Sequence, residues 1–420
     1  MVHGPNGAGY PIRRWTVDTD LSAVTWILTI GPRMKDRTRV VSAGRLENPK
    51  SGSVNPPVHH TSTVLFPTVE AYLKARSKSF EVSIYGRLGT PTSAALETAL
   101  CEIEGGFRTL VTSSGMAAIT VALGAFLSSG DHLLMVDTVY DPVRSLCDRV
   151  LTRMGIRVSY YDPLVGAGIA ELITRETRMV YVESPGSLTF EVQDVPAISH
   201  AAHQRGVLIA MDNTWSTPLN FNVFNHDIDI SLQSLSKYVG GHSDLVMGAV
   251  TTTEPLHRDV RRMGALLGTC PGPDDCFLAQ RGMRTLPARL RQHQDSGLTI
   301  ASWLAGRPEV SRVLHPALSS DPGHAIWRRD FSGAGGLFGV VLKPVSDRAV
   351  HAMLDGYEHF GIGVSWGGFE SLVIPTSPER YRTATAWTAD GPTVRYYIGL
   401  EDVDDLIADL ERGFNRLRAA

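Results

Sequence analysis

The stretch Val207-Leu208-Ile209-Ala210-Met211-Asp212-Asn213-Thr214 is apolar for five residues and then closes on an acid. Beyond it, Ser234-Leu235-Ser236-Lys237-Tyr238 stands just past another apolar strand, followed by Gly240-Gly241. Upstream the same form recurs. Strand-like Thr109–Thr112, Leu133–Val136, Val158–Tyr161 and Met179–Glu183 alternate with helical patterns near Met116–Leu127, Pro142–Met154 and Val195–Gln204. Before them, Ala95, Leu96, Ala99, Leu100 and Ile103 recur at helical spacing until Gly105-Gly106 supplies a stop. Strands that are apolar throughout and separated by helices predict a mostly parallel sheet covered on both faces, an α/β architecture. Ligands of such sheets sit at the carboxyl ends of the strands.

The flanks are different. Residues 1–33 read as an irregular extension, and Met34-Lys35-Asp36-Arg37-Thr38 opens like a native N-terminus. Leu21–Ile30, preceded by Arg13-Arg14, is short for a signal segment; Asp18 and Asp20 intervene and no small-residue cleavage site follows. Residues 34–93 are rich in Pro, Ser and Thr and read as an arm. Residues 94–283 form the large domain. Residues 284–420 form a smaller α+β domain, with a helix around Arg289–Leu304, glycine-rich strands near Gly335–Leu342 and an amphipathic helix from Val403 to Leu417.

In 420 residues, 43% are hydrophobic and 20% charged, which excludes a disordered or collagen-like chain. Forty basic against 43 acidic residues, net charge −3 and without like-charge runs, leave no electrostatic footprint for a nucleic acid or an anionic membrane. No stretch approaches the 18 or so apolar residues that span a bilayer. Cys101, Cys147, Cys270 and Cys276 contain no Cys-x-x-Cys pair, so neither a disulfide scaffold nor a metal site is expected. A reduced, cytoplasmic protein is the simplest reading.

Only six of the 40 basic residues are lysines, and five stand in polar surroundings. Lys237 does not. A lysine at the end of a buried strand is costly unless its amine is paired, neutral or covalently used. Flanked by Ser234 and Ser236, it suits a Schiff-base enzyme: the amine joins pyridoxal 5′-phosphate (PLP) and the hydroxyls serve the phosphate. Taken alone it is more simply a strand-edge lysine reaching solvent. Asp212 ends another apolar strand, where a carboxylate pairs with a protonated pyridine nitrogen; alone, it reads as a turn former. Ser114-Gly115-Met116 joins a strand to a helix, and such N-termini bind phosphate. Tyr140, after a strand, can stack on a flat ring. Each sign is weak, but together, in chain order on successive strand ends, they point to PLP.

These residues and several more stretches carry a resemblance. Tyr85-Gly86-Arg87, Ser114-Gly115-Met116, Val182-Glu183-Ser184-Pro185-Gly186, Asp212-Asn213-Thr214-Trp215, Ser234-Leu235-Ser236-Lys237-Tyr238, Ser365-Trp366-Gly367-Gly368 and Gly399-Leu400-Glu401-Asp402-Val403 resemble the cysteine/methionine-metabolism family of fold-type-I PLP enzymes. The resemblance runs from Thr38 to the C-terminus. It implies an aspartate-aminotransferase-like fold, with residues 94–283 as the PLP-binding domain. It implies that Tyr85 and Arg87 reach the cofactor phosphate of a neighbouring subunit, and hence a homotetramer built from two active dimers. It gives Tyr85, Tyr140 and Lys237 catalytic roles. Arg395 matches the clamp on the substrate α-carboxylate, and Ser365 and Trp366 match residues lining the substrate side.

Within the family, Trp366 favours the cystathionine β-lyases, because the synthases and γ-lyases usually have Leu there. Val364 stands where cystathionine γ-synthases and γ-lyases usually carry Glu. It resembles the methionine γ-lyases instead, but those place a Cys soon after the stacking Tyr, where Asp141-Pro142 follows here. The implied reaction is α,β-elimination of L-cystathionine to homocysteine, pyruvate and ammonia, in methionine biosynthesis. A broader cysteine-S-conjugate β-lyase, a cystathionine γ-synthase or γ-lyase and a methionine γ-lyase stay open as alternatives. A Rossmann oxidoreductase is disfavoured, since Ser113-Ser114-Gly115-Met116-Ala117-Ala118 lacks the G-x-G-x-x-G pattern.

Overall fold

The computed structural model describes residues 12–17, 24–29, 34–45 and 52–420. Within the extension read as irregular, β1 (Ile12–Val17) and β2 (Val24–Thr29) pair as antiparallel strands. The rest of residues 1–33 lies outside the described residues.

Seven strands make the large sheet: β3 (Arg108–Thr112), β4 (His132–Val136), β5 (Arg157–Tyr161), β6 (Thr177–Glu183), β7 (Leu208–Asp212), β8 (Ile230–Ser234) and β9 (Gly248–Thr252). Their order is β3-β9-β8-β7-β6-β4-β5. The run from β8 to β5 is parallel, while β9 lies antiparallel to both β3 and β8. The expected parallel sheet is present, with one reversed strand near its edge. All five residues of β4 are buried, as are residues 209–211 of β7, which is why these strands read as continuous apolar runs.

The helices are cut where the sequence provides caps. Thr90 accepts the Ser93 N–H in a capping box, Pro91 opens the helix Pro91–Glu104, and Gly105 (φ +82°) closes it. Ser114 Oγ accepts the Ala117 N–H at 3.0 Å and starts Gly115–Phe126. The helix expected over Pro142–Met154 is regular only over Asp141–Leu146; it widens into a π stretch, Cys147–Leu151, and ends in a 3₁₀ turn before Gly155.

A second sheet follows, ordered β10-β11-β14-β13-β12, from β10 (Val310–Leu314), β11 (Leu337–Leu342), β12 (Phe360–Ile362), β13 (Ser371–Thr376) and β14 (Thr393–Tyr397). A 33-residue helix, Pro273–Ala305, connects the two regions. Residues 283 and 284, where the large domain was expected to end, lie inside it, and the helix runs on through Pro287. Cys276, Ala279, Met283, Leu286 and Leu290 pack with Leu96 and Ala99. Ile300, Ala301 and Leu304 pack under the second sheet with Leu406, Leu410 and Phe414 of the terminal helix Val403–Ala419. One rigid helix thus belongs to both cores and sets how the second sheet faces the ends of the first.

Candidate active site

The parallel strands end along one line, bringing together residues far apart in the chain. Asp212 closes β7, and Glu183, closing β6, stands opposite it in register. Ser234 closes β8, and the Lys237 N–H donates to its carbonyl at 3.2 Å in the turn beyond. Tyr140 follows β4, and its backbone N–H donates to Glu183 Oε2 at 2.9 Å. Four of the residues singled out in the sequence, Tyr140, Asp212, Ser234 and Lys237, therefore lie at neighbouring strand ends.

The second sheet closes the site from above. Lys237 Nζ donates to Ser365 Oγ at 2.5 Å and lies 5.6 Å from the centre of the Trp366 ring. Arg395, on β14, donates from Nη2 to the Ser365 carbonyl at 3.1 Å. Burial, helped by the positive charge of Arg395 and opposed by Asp212, brings the Lys237 amine down to about 8. Burial also brings the Arg395 guanidinium down to about 10, which leaves it charged at neutral pH. Ser365 (φ +87°) and Gly367 (φ +88°) both have left-handed backbone. At Ser365 that conformation is strained, as is common where a turn is held for function. At Gly367 a Cβ would lie 2.7 Å from the Lys237 carbonyl carbon, so the turn Ser365–Gly368 presses directly on the lysine backbone.

On the other side lies the helix start Ser114-Gly115-Met116. A Cβ on Gly115 would come within 3.0 Å of Ser234 Cβ and Oγ, so the first turn of the helix and the end of β8 face each other closely. Backbone N–H groups at this N-terminus and the Ser234 hydroxyl form a cradle suited to an anion. Ser236 is engaged elsewhere: its Oγ accepts the Met247 N–H at 3.0 Å and contacts the Met247 carbonyl at 3.3 Å. The Tyr140 side chain is 47% exposed, and burial of its inner part together with Glu183 raises its hydroxyl above the ordinary phenol range.

Tyr85 and Arg87 are not part of this cluster within one chain. They line a separate cavity of about 390 Å³ with His59, His60 and Cys270, and Arg87 Nη1 donates to the Ala265 carbonyl at 2.6 Å. Tyr85 is 45% exposed.

Two participants went unassigned in the sequence. Thr214 holds Asp212 by a backbone N–H at 3.0 Å and accepts the Ser234 N–H at 2.9 Å, tying the acid to the phosphate side. Glu183 sits between Tyr140 and Asp212. Its signal was available, since an acid closing an apolar strand is what drew attention to Asp212.

The residues present fit PLP. Among the described residues Asp212 forms no ion pair, and burial raises its carboxyl above the ordinary range. A recessed acid that is not already tied up in an ion pair is the partner a protonated ring nitrogen needs. The anion cradle stands beside it, and the depressed amine of Lys237 is reactive near neutral pH.

Comparison with known proteins agrees. The chain is 43% identical over 387 residues to the cystathionine beta-lyase of Salmonella typhimurium, covering 90% of this chain and 98% of that one. It is 40% identical over 387 residues to the cystathionine beta-lyase of Escherichia coli K12, with the same shares covered. The crystal structure of cystathionine gamma synthase from Xanthomonas oryzae pv. oryzae, in complex with aminoacrylate and cysteine, superposes with a TM-score of 0.85 at 32% identity, over 92% of this chain and 100% of that one. The family profile described as Cys/Met metabolism PLP-dependent enzyme matches residues 37–415, and with this fold and these strand-end residues the chain belongs to that family of fold-type-I enzymes.

Proposed function

We propose that this chain is a carbon–sulfur lyase that performs α,β-elimination on L-cystathionine, releasing homocysteine, pyruvate and ammonia. The observation that carries the proposal is the linked set Lys237–Ser365–Arg395, in which one short turn holds both the amine that moves the proton and the guanidinium that clamps the substrate carboxylate. The names of the relatives support the choice of cystathionine. Trp366, beside the Lys237 amine, supports β- over γ-elimination.

PLP, when bound, supplies the electron sink for the carbanion at the substrate Cα. Asp212 holds the ring nitrogen, and Tyr140 stacks on the ring. Ser114, Gly115, Met116, Ser234 and Ser236 hold the phosphate, with Ser236 giving up its contact to the Met247 carbonyl. Arg395 binds the α-carboxylate, with a bidentate fork that suits it. Ser365 and Trp366 line the substrate side. Lys237 takes the Cα proton as a neutral amine, a state that its value near 8 makes accessible near neutral pH. Tyr85 and Arg87 serve the phosphate of a neighbouring subunit; their separation from Lys237 within one chain and the exposure of Tyr85 support this. A homotetramer of active dimers working in the cytoplasm belongs to the same proposal.

The test is product analysis of the PLP-loaded enzyme with L-cystathionine, assaying pyruvate and 2-oxobutyrate side by side. Pyruvate with homocysteine is expected. 2-Oxobutyrate with cysteine would move the chain to the γ-lyases, and neither product would refute cystathionine as substrate.

A further inference from the structure

Glu183, the acid that closes β6, has no role in the reaction above. It stands between two residues that have one. On one side its Oε2 accepts the backbone N–H of Tyr140 at 2.9 Å, beyond the end of β4. On the other it is the register partner of Asp212 on β7. Parallel strands lie about 4.8 Å apart and directly paired residues share a face, so the two carboxyl groups are close neighbours.

Two carboxylates at that spacing in a recessed site do not both stay ionised. The surroundings decide which one keeps the proton. Asp212 accepts the Thr214 N–H at 3.0 Å, bonds the Thr214 hydroxyl and faces the positive charge of Lys237. Each of these favours its anion. Glu183 has the Tyr140 N–H and the Ser187 hydroxyl, but no cation acts on it, and burial with the charge of Asp212 pushes its carboxyl well above the ordinary range. The other titratable or charged groups around the pair are Tyr140 and Asp141 past β4, Tyr181 on β6 and Arg395 on β14. The two tyrosines are neutral, Asp141 adds negative charge, and Arg395 acts on Tyr140 and Lys237 rather than on Glu183.

We propose that Glu183 is a positioning residue that remains protonated beside an ionised Asp212, anchoring the backbone of Tyr140 while leaving the acid pair with a single negative charge. The carbonyl oxygen of a neutral acid still accepts the Tyr140 N–H, more weakly than a carboxylate would. It also does so without putting a second charge behind the ring nitrogen, where two anions would bind that proton too tightly. Tyr140 is nearly half exposed, so the backbone anchor helps to fix where its ring stands.

The inference rests on the reading that Asp212 and Tyr140 face the bound ring, and Asp212→Asn tests that reading separately. The experiment uses Glu183→Gln and Glu183→Ala in the PLP-loaded enzyme, following the pH titration of the visible absorbance, the visible circular dichroism and the dissociation constant for PLP. Gln copies a neutral acid, so Glu183→Gln should keep the titration midpoint within about a third of a pH unit. If Glu183 were ionised, the midpoint would fall by about one unit or more, which would overturn the proposal. Glu183→Ala should bind PLP about tenfold more weakly, with altered visible dichroism, through loss of one anchoring hydrogen bond. Unchanged affinity and dichroism in that variant would refute the positioning role. Should Glu183→Ala fail to fold, the Glu183→Gln titration still decides. An Asp212→Asn enzyme with wild-type titration and affinity would show instead that the underlying reading of Asp212 is wrong.

Discussion

Replacing Gly367 with alanine adds one methyl group at the point where the second sheet touches the lysine. The new Cβ would stand 2.7 Å from both the Lys237 carbonyl carbon and the Tyr238 nitrogen, and 2.8 Å from Lys237 Cα. These are backbone atoms and cannot rotate aside. Reaching an ordinary contact of 3.4 Å requires a displacement of about 0.7 Å, shared between the turn Ser365–Gly368 and the lysine. The left-handed backbone at this position adds about 1–2 kcal/mol for any residue with a Cβ. Gly130 provides the control: its φ is +93° and a Cβ there meets nothing within 4 Å. Gly130→Ala should therefore lose about 1–2 kcal/mol of stability in a urea titration and keep its kcat. Gly367→Ala should lose at least as much stability and about 30-fold or more in kcat, because misplacement approaching 1 Å costs up to two orders of magnitude. The measurement is steady-state kinetics of both variants at saturating PLP. A Gly367→Ala enzyme with wild-type kcat and a stability loss matching that of Gly130→Ala would refute the idea that this turn positions Lys237.

Ser365→Ala removes the 2.5 Å contact to Lys237 Nζ, and kcat should fall about tenfold while PLP affinity changes little. In the apoenzyme, PLP uptake should speed up as pH rises through about 8, since only the neutral Lys237 amine reacts; Arg395→Met should move that midpoint upward, because the guanidinium helps hold the amine down. A midpoint unmoved by Arg395→Met would contradict the electrostatic account. Asp137 lies wholly buried among Arg144, Arg382 and the N–H groups of Thr383, Ala384 and Thr385. Burial alone would raise its carboxyl, but the backbone N–H groups and Arg144 outweigh burial and hold it below the ordinary range. Its contribution to stability is thus present at neutral pH and is lost as pH falls through the depressed value. Asp137→Ala leaves two buried guanidinium groups without it and should cost about 3–5 kcal/mol by urea unfolding at pH 7. Mixing inactive Lys237→Ala and Arg87→Ala subunits should restore about a quarter of the activity through mixed dimers with one intact site, if Arg87 acts across subunits; no recovery after exchange would place Arg87 in its own chain's site.

Much of this was legible in the chain itself. Uniformly apolar strands such as Leu133–Val136 and Ile209–Met211 are buried on both faces of the sheet and so carry a local signal. The strand ends were marked by their exceptions, an acid or a lysine after an apolar run, which is how Asp212 and Lys237 stood out. β9 gave no such sign, being framed by glycine and threonine. Pro287 reads as a helix breaker, and the continuity of Pro273–Ala305 depends on packing in two cores at once, which no local pattern encodes. Glu183 carries the same mark as Asp212, but its meaning depends on which strand lies next to β6.

The sequence alone therefore determined the residue types at the site, the α/β alternation and the family, since these rest on local burial pattern and on motifs a few residues long. Tertiary structure alone decided that Lys237 touches Ser365, that Arg395 grips that same turn, that Glu183 faces Asp212, and that Tyr85 and Arg87 stand apart from all of them. Those relations join strands and turns as much as 128 residues apart, as Lys237 and Ser365 are. They follow from strand order and register, and from one helix shared between two cores, rather than from the character of any residue.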